Sequence, residues 1–147
     1  MAKIRVALVG VGNCASSLVQ GVEFYRDATG NRAIPGIMHL DLGGYHIADI
    51  DFVAAFDIAE GKVGRDLSEA IAAPPNNTER FATVRPTGVE VRCGPTHDGI
   101  GRYLRETVIE SSQPVDDAAG ILRASGAEIG PAGGIGRLWR RHCGNSR

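Results

Sequence analysis

One stretch constrains this chain more than any other: Lys3 to Gln20, K-I-R-V-A-L-V-G-V-G-N-C-A-S-S-L-V-Q. A run rich in Val and Ile meets Gly10-Val11-Gly12-Asn13-Cys14-Ala15, and a helical pattern begins at once. That order predicts strand, tight glycine turn and helix, the opening of a βαβ unit. Gly10 permits a sharp turn off the strand. Gly12 has no Cβ, so another molecule can approach the backbone there. Ala15 stands where a third glycine often sits and is small enough to let the helix pack on the strand. A helix starting at this point aims free N–H groups and its positive end at the turn, and the group that fits there is the pyrophosphate of a dinucleotide. Ser16 and Ser17 offer hydroxyl donors beside it. The competing reading is a plain glycine turn; the strand before it and the helix after it favour a bound dinucleotide.

The second strand should be Asp51-Phe52-Val53-Ala54-Ala55-Phe56-Asp57, apolar throughout its centre as in a strand covered on both faces. Its terminal Asp57 is placed to bind the adenosine ribose hydroxyls and to repel a 2′-phosphate, which favours NAD over NADP. The alternative is a solvated strand-end acid. The first helix, expected from Ser16 to about Tyr25, does not lead directly to this strand. Residues 28–50 intervene, punctuated by Pro35-Gly36 and Gly43-Gly44. Such an insertion is expected to be functional or to pack against another domain. Its His39 and His46 lack carboxylate or cysteine company, and no metal site is expected.

Further on, Asp66 can cap a short helix with Glu69 completing a capping box, and Pro74-Pro75 stops it. Val89-Glu90-Val91-Arg92 alternates as a third strand. Asp98 to Leu104 reads as a helical piece. Pro114 opens another helix with Asp116 and Asp117 in its first turn, ending at Gly126. Ala127-Glu128-Ile129 begins a further strand that does not continue. From Gly130 the text turns rich in Gly and Arg, with four arginines, no acidic residue and Trp139, the single tryptophan.

The 147 residues suit one domain with one core. Lys plus Arg number 16 and Asp plus Glu 17, for a net charge of −1, so neither nucleic acid nor an anionic membrane is an expected partner. Cys14, Cys93 and Cys143 show no paired spacing, which implies a reducing compartment and no zinc site. Cys14 lies inside the glycine turn. A helix N-terminus can activate a thiol there, but a small residue packed beside the cofactor is the expected role. Met1-Ala2-Lys3 leads straight into the strand with no signal-peptide pattern, and no apolar run is long enough to span a bilayer, so a cytoplasmic location is expected.

Val9 to Glu23, Pro35 to His39, Phe52 to Asp57, Lys62-Val63-Gly64, Asp66-Leu67-Ser68, Asn76-Asn77-Thr78 and Gly94 to Gly101 together resemble the N-terminal part of actinobacterial inositol-3-phosphate synthase. The resemblance runs from about Lys3 to Ile129 and includes the insertion. It implies an α/β fold: an incomplete Rossmann-like parallel sheet with a long insertion between the first helix and the second strand. It also implies an NAD-dependent isomerase of inositol and phospholipid biosynthesis, acting on glucose 6-phosphate. In that family a hydride passes from the sugar to NAD, an internal aldol addition closes the ring, and the hydride returns. Positions matching Gly10, Gly12, Asn13, Cys14, Ala15, Asp66 and Ala124 contact the nucleotide there.

The chain also departs from the family. The family's substrate and tetramerisation domain, with its catalytic lysines and acids, has no counterpart here. Lys3 and Lys62 are the only lysines, and neither stands where an enolisation or phosphate-binding lysine belongs. The expected organisation is a partial NAD-binding domain over 1–129 and an aberrant tail over 130–147, read as a frame slip or a truncated gene. The expected function is a chain that keeps part of the NAD site and is inactive alone. The alternatives are a non-catalytic NAD-binding or interaction module, and a truncated gene product.

Overall fold

A computed structural model describes residues 3–30, 34–96, 100–102 and 104–130. The chain forms β1 (Ile4–Val9), α1 (Asn13–Phe24), a small hairpin of β2 (Asp41–Leu42) and β3 (Tyr45–His46), then β4 (Ile50–Asp57), α2 (Leu67–Ala70), β5 (Val91–Cys93) and α3 (Ala118–Ser125). β1, β4 and β5 make one parallel sheet in the order β1-β4-β5. On the free side of β1, Val6 pairs in parallel with Ile129, and the Ala7 N–H donates to the Ile129 carbonyl at 2.8 Å. The order from one edge is therefore β5, β4, β1, Ile129, the strand order of a Rossmann half-unit carried only to the first contact of its fourth strand. This is the expected α/β, incomplete Rossmann-like architecture, with the insertion between α1 and β4.

The alternation of side chains along the strands divides the core in two. Val6 and Leu8 of β1 and Ala55 of β4 join Val11, Ala15 and Val19 under α1, with Leu67, Ala70 and Ile71 from the α2 segment and Val91 from β5. Ala7, Ala54 and Phe56 face the other way, against Ala118, Ile121 and Leu122 of α3. The α1 face is the more deeply buried: Leu8, Val11, Val19, Leu67 and Val91 are nearly inaccessible, whereas α3 buries none of its residues fully. Full burial of one such side chain contributes about 1.5–3 kcal/mol, so the α1 side carries most of the packing that holds the glycine turn.

Several boundaries shift from those expected. α1 starts at Asn13, three residues before Ser16, because Gly12 takes the N-cap position. α3 starts at Ala118: Asp117 caps it by accepting from the Gly120 N–H, while the Asp116 carboxylate accepts the Cys93 N–H at 2.9 Å and lies outside the helix. The predicted end at Gly126, in the left-handed region, is found. α2 is only Leu67–Ala70. Its cap is Asp66 accepting from the Ser68 N–H, and Glu69 lies exposed. Of the helical piece expected over Asp98 to Leu104, residues 98, 99 and 103 lie outside the described residues, and those described show a single turn at Leu104–Glu106. The tail from residue 131 onward, with Trp139 and Cys143, lies outside them too.

In the insertion, Tyr25 donates its hydroxyl proton to the Pro35 carbonyl at 2.7 Å, tying the segment to the end of α1. His46 accepts the Ala48 N–H on Nδ1 at 3.0 Å, which leaves Nε2 to donate to the Ala28 carbonyl at 3.0 Å. Both ring nitrogens are thus committed to the backbone. His39 is exposed, and among the described residues no group of three or more His, Cys, Asp or Glu is placed to hold a metal ion.

Candidate functional site

The site is built at the carboxyl ends of β1 and β4. Gly10 leaves β1 with φ +93, a conformation that a side chain would strain, and donates its N–H to the Phe56 carbonyl at 2.8 Å. Val11 plugs the core. Gly12 follows with φ −88, which any residue can adopt, and a Cβ built there would meet no atom within 4 Å. Local backbone geometry and packing therefore give no reason for glycine at position 12; open approach to the backbone does. At the start of α1 there is neither a side-chain cap nor an acidic residue. The first-turn N–H groups and the positive end of the helix dipole are thus directed at the same open space.

Side chains from three later segments hold the turn. Asp57, the last residue of β4, accepts the Val11 N–H on Oδ2 at 2.7 Å and the Ile58 and Ala59 N–H groups on Oδ1 at 2.8 and 2.9 Å. Lys62 is only 3% exposed and donates to the Val11 carbonyl and to Asn76 Oδ1, each at 2.8 Å. Burial pushes the Lys62 ammonium pKa down, and the charge of Asp57 opposes that shift. Asn76 Nδ2 adds a second donor to the Val11 carbonyl at 3.0 Å. One residue on, Asn13 Oδ1 accepts from the Asn77 and Thr78 N–H groups and from the Thr78 hydroxyl, and Asn13 Nδ2 donates to Asn77 Oδ1.

Gly10, Gly12 and Asp57 lie together at the ends of the adjacent parallel strands β1 and β4, with Asn13, Cys14 and Ala15 opening α1 beside them. Within that group, Ala15 is buried against the sheet and Cys14 is exposed at the first turn of α1. Ser17 is exposed, but Ser16 is buried and its hydroxyl accepts from Gln20 rather than facing the turn. Asp57 differs from a free ribose acceptor: three backbone N–H groups occupy its oxygens. Asp66 lies on the crossover between β4 and β5. Its carboxylate accepts from the Ser68 N–H and hydroxyl, the Thr87 N–H and hydroxyl, and the Gly88 N–H. Burial alone would raise its pKa, but these hydrogen bonds outweigh it and bring it down to about 2. Ala124 is not brought to the turn. It is exposed near the end of α3, where the adjacent Ser125 carbonyl accepts from Arg5, at the amino end of β1. The reason is topological: α3 runs back across the other face of the sheet toward the start of β1.

The chain is 58% identical over 115 residues to inositol-3-phosphate synthase of Mycolicibacterium smegmatis, a match covering 78% of this chain and 32% of that protein. It is 56% identical over 123 residues to the Mycobacterium tuberculosis enzyme of the same name (83% and 34% covered). It is 51% identical over 122 residues to that of Corynebacterium glutamicum (82% and 34%). This chain is homologous to the N-terminal part of inositol-3-phosphate synthases. It spans about a third of the length of those relatives. Among solved structures, the crystal structure of Ari2 superposes with a TM-score of 0.67 at 32% identity, covering 87% of this chain and 36% of that one. No family model matches the chain.

The glycine-turn pattern does not point to Lys62, Asn76, Asn77 and Thr78 as supports of the site. Lys62-Val63-Gly64 and Asn76-Asn77-Thr78 stand out in the sequence only as part of the family resemblance. Nothing in the local pattern says that residues some 50 to 65 positions away reach back to Val11 and Asn13.

Proposed function

We propose that residues 1–129 form the part of an inositol-3-phosphate synthase-like fold that holds the phosphates and adenosine side of NAD, and that the chain alone does not make inositol phosphate. The observation carrying the first statement is Gly12: a glycine with ordinary φ and open space where its Cβ would lie, at the uncapped start of α1. That is a cradle a side chain would fill, so the residues fit the group. The pyrophosphate would rest over Gly12 and the N–H groups of Asn13 and Cys14, with Ala15 allowing the close approach of α1 to β1. Asp57 would act there by its charge and by holding the turn. When bound, NAD supplies a hydride acceptor that returns the hydride at the end of the cycle. The chain's own residues bind and orient it.

The second statement rests on the two lysines. Lys62 is buried and committed to the turn, and Lys3 donates to the Ala48 carbonyl and pairs with Asp49 at the far end of β1. Neither stands free beside the open space at Gly12. Glucose 6-phosphate as substrate, the isomerase reaction, a cytoplasmic setting and self-assembly belong to the proposal by family. Among the described residues no helix is long and apolar enough to cross a membrane. The test is calorimetric titration of the 147-residue chain with NAD⁺, beside Gly12→Val. The variant should still fold, since a Cβ there meets nothing within 4 Å, with a modest stability loss because valine is a poorer N-cap than glycine, and should bind NAD⁺ at least ~10-fold more weakly, about 1.4 kcal/mol. Absence of NAD⁺ binding by the parent chain, or equal binding by the variant, refutes the reading.

A further inference from the structure

We infer that Lys62, assisted by Asn76, is a positioning residue that turns the Gly12 N–H outward toward the bound phosphates; the inference deepens the dinucleotide reading and rests on it.

A trans peptide unit places its C=O and the following N–H on opposite sides. Val11 C=O and Gly12 N–H belong to one such unit. The Val11 carbonyl is drawn inward by the Lys62 ammonium at 2.8 Å and by Asn76 Nδ2 at 3.0 Å. The Gly12 N–H must then point away from Lys62 and Asn76. The preceding peptide unit is pinned as well, because Asp57 takes the Val11 N–H. Lys62 and Asp57 thus grip Val11 from its two backbone groups, and their opposite charges face each other across it. Asn76 is itself anchored, donating to the Ile71 carbonyl at 3.0 Å while accepting from Lys62.

The chemistry of the choice points the same way. A lysine only 3% exposed carries a desolvation cost that an apolar side chain of like size would avoid. Packing alone would be served by methionine. What methionine cannot do is supply the charged hydrogen bond to the buried Val11 carbonyl; it leaves only the longer bond from Asn76 at 3.0 Å, and a carbonyl held by that bond alone, next to a glycine, is freer to rotate its peptide unit outward. That rotation would present an oxygen, not an N–H, to an incoming anion.

The experiment compares Lys62→Met with the parent 147-residue chain by amide NMR and by titration with NAD⁺, ADP and adenosine. In the variant the Val11 and Gly12 amide signals should shift and exchange faster, while those of residues 17–24 in α1 stay put. NAD⁺ and ADP should each lose about tenfold or more in affinity, as expected for a hydrogen bond from a backbone N–H to a charged acceptor, and adenosine should lose none. A lysine that merely packs would loosen strand and helix amides alike and would lower all ligands equally; that result overturns the inference. Unmoved Val11 and Gly12 amides overturn it too. Should Lys62→Met not fold, Asn76→Ala on the partly exposed side of the same grip gives the same pattern in smaller degree, or overturns the inference by leaving those amides unmoved. If the parent binds neither NAD⁺ nor ADP, the dinucleotide reading fails, and with it the stated purpose of the grip, while the amide data still decide whether Lys62 sets the peptide orientation.

Discussion

Asp66→Asn separates a structural from a ligand-contacting role for the acid that the family resemblance places at the nucleotide. In the structure its two oxygens accept five hydrogen bonds from Ser68, Thr87 and Gly88, joining the start of α2 to the segment that leads into β5. Asparagine keeps one carbonyl oxygen for Ser68 and Thr87. It must place its amide group 2.7 Å from the Gly88 N–H, donor against donor. The fall of the Asp66 pKa from 3.8 to about 2 corresponds to roughly 2.5 kcal/mol of preference for the charged form. Because the residue is partly exposed, screening brings the expected loss to about 1–2 kcal/mol. The sign with pH follows from a depressed folded-state pKa. The contribution is full above about pH 5, narrows as the unfolded chain takes up its proton near 4, and is gone once the folded carboxyl is protonated, below about 2. Urea denaturation of parent and variant at pH 7 and at steps down to pH 3 should show a gap that closes with acid. A variant as stable as the parent, or a gap that does not change with pH, refutes the argument. If NAD⁺ affinity of the folded variant also drops, Asp66 touches the nucleotide in addition.

Three further outcomes are expected. The purified chain, given glucose 6-phosphate and NAD⁺, should form no inositol phosphate above background, since near-attack positioning of the sugar can supply about 7–11 kcal/mol of barrier reduction and both lysines are committed elsewhere; turnover without added full-length enzyme would overturn this. Gly10→Ala should cost about 1–3 kcal/mol in denaturation, because φ is +93 there, whereas a change below a few tenths would show that the turn relaxes freely. NAD⁺ should bind more tightly than NADP⁺, owing to the Asp57 charge beside the turn; tighter NADP⁺ binding in parallel titrations would reverse the assignment, with exposed Arg65 the side chain to remove next.

Most of the turn could be read from local sequence. The apolar run before Gly10, the pair of glycines and the helical pattern after them act over a few residues each. The same holds for Gly126 closing α3 and for the Asp66 cap. What local sequence does not show is the reach of side chains across long separations. Asp57 reads from the sequence as a ribose ligand, because the pattern shows where a strand ends but not that its carboxylate will fold back on Val11. Ser16 looked like a phosphate donor until α1 turned it toward Gln20. Ala124 followed its family position, yet the path of α3 carries it to the opposite end of β1. Pro114 looked like a helix start, but the chain uses Asp116 first to hold Cys93.

By itself, then, the sequence determined the strand–turn–helix, the alternating faces of β1 and β4, and the kinship with the synthases, because periodicity, glycine conformation and motif identity are local or additive along the chain. The tertiary structure decided which groups remain open to a ligand. Whether Gly12 has empty space beside it, which way its N–H points, and whether Asp57 and Lys62 are free or spent depend on hydrogen bonds between β1, β4 and the loop at Asn76. Those bonds form only when the sheet brings the segments within about 3 Å of one another.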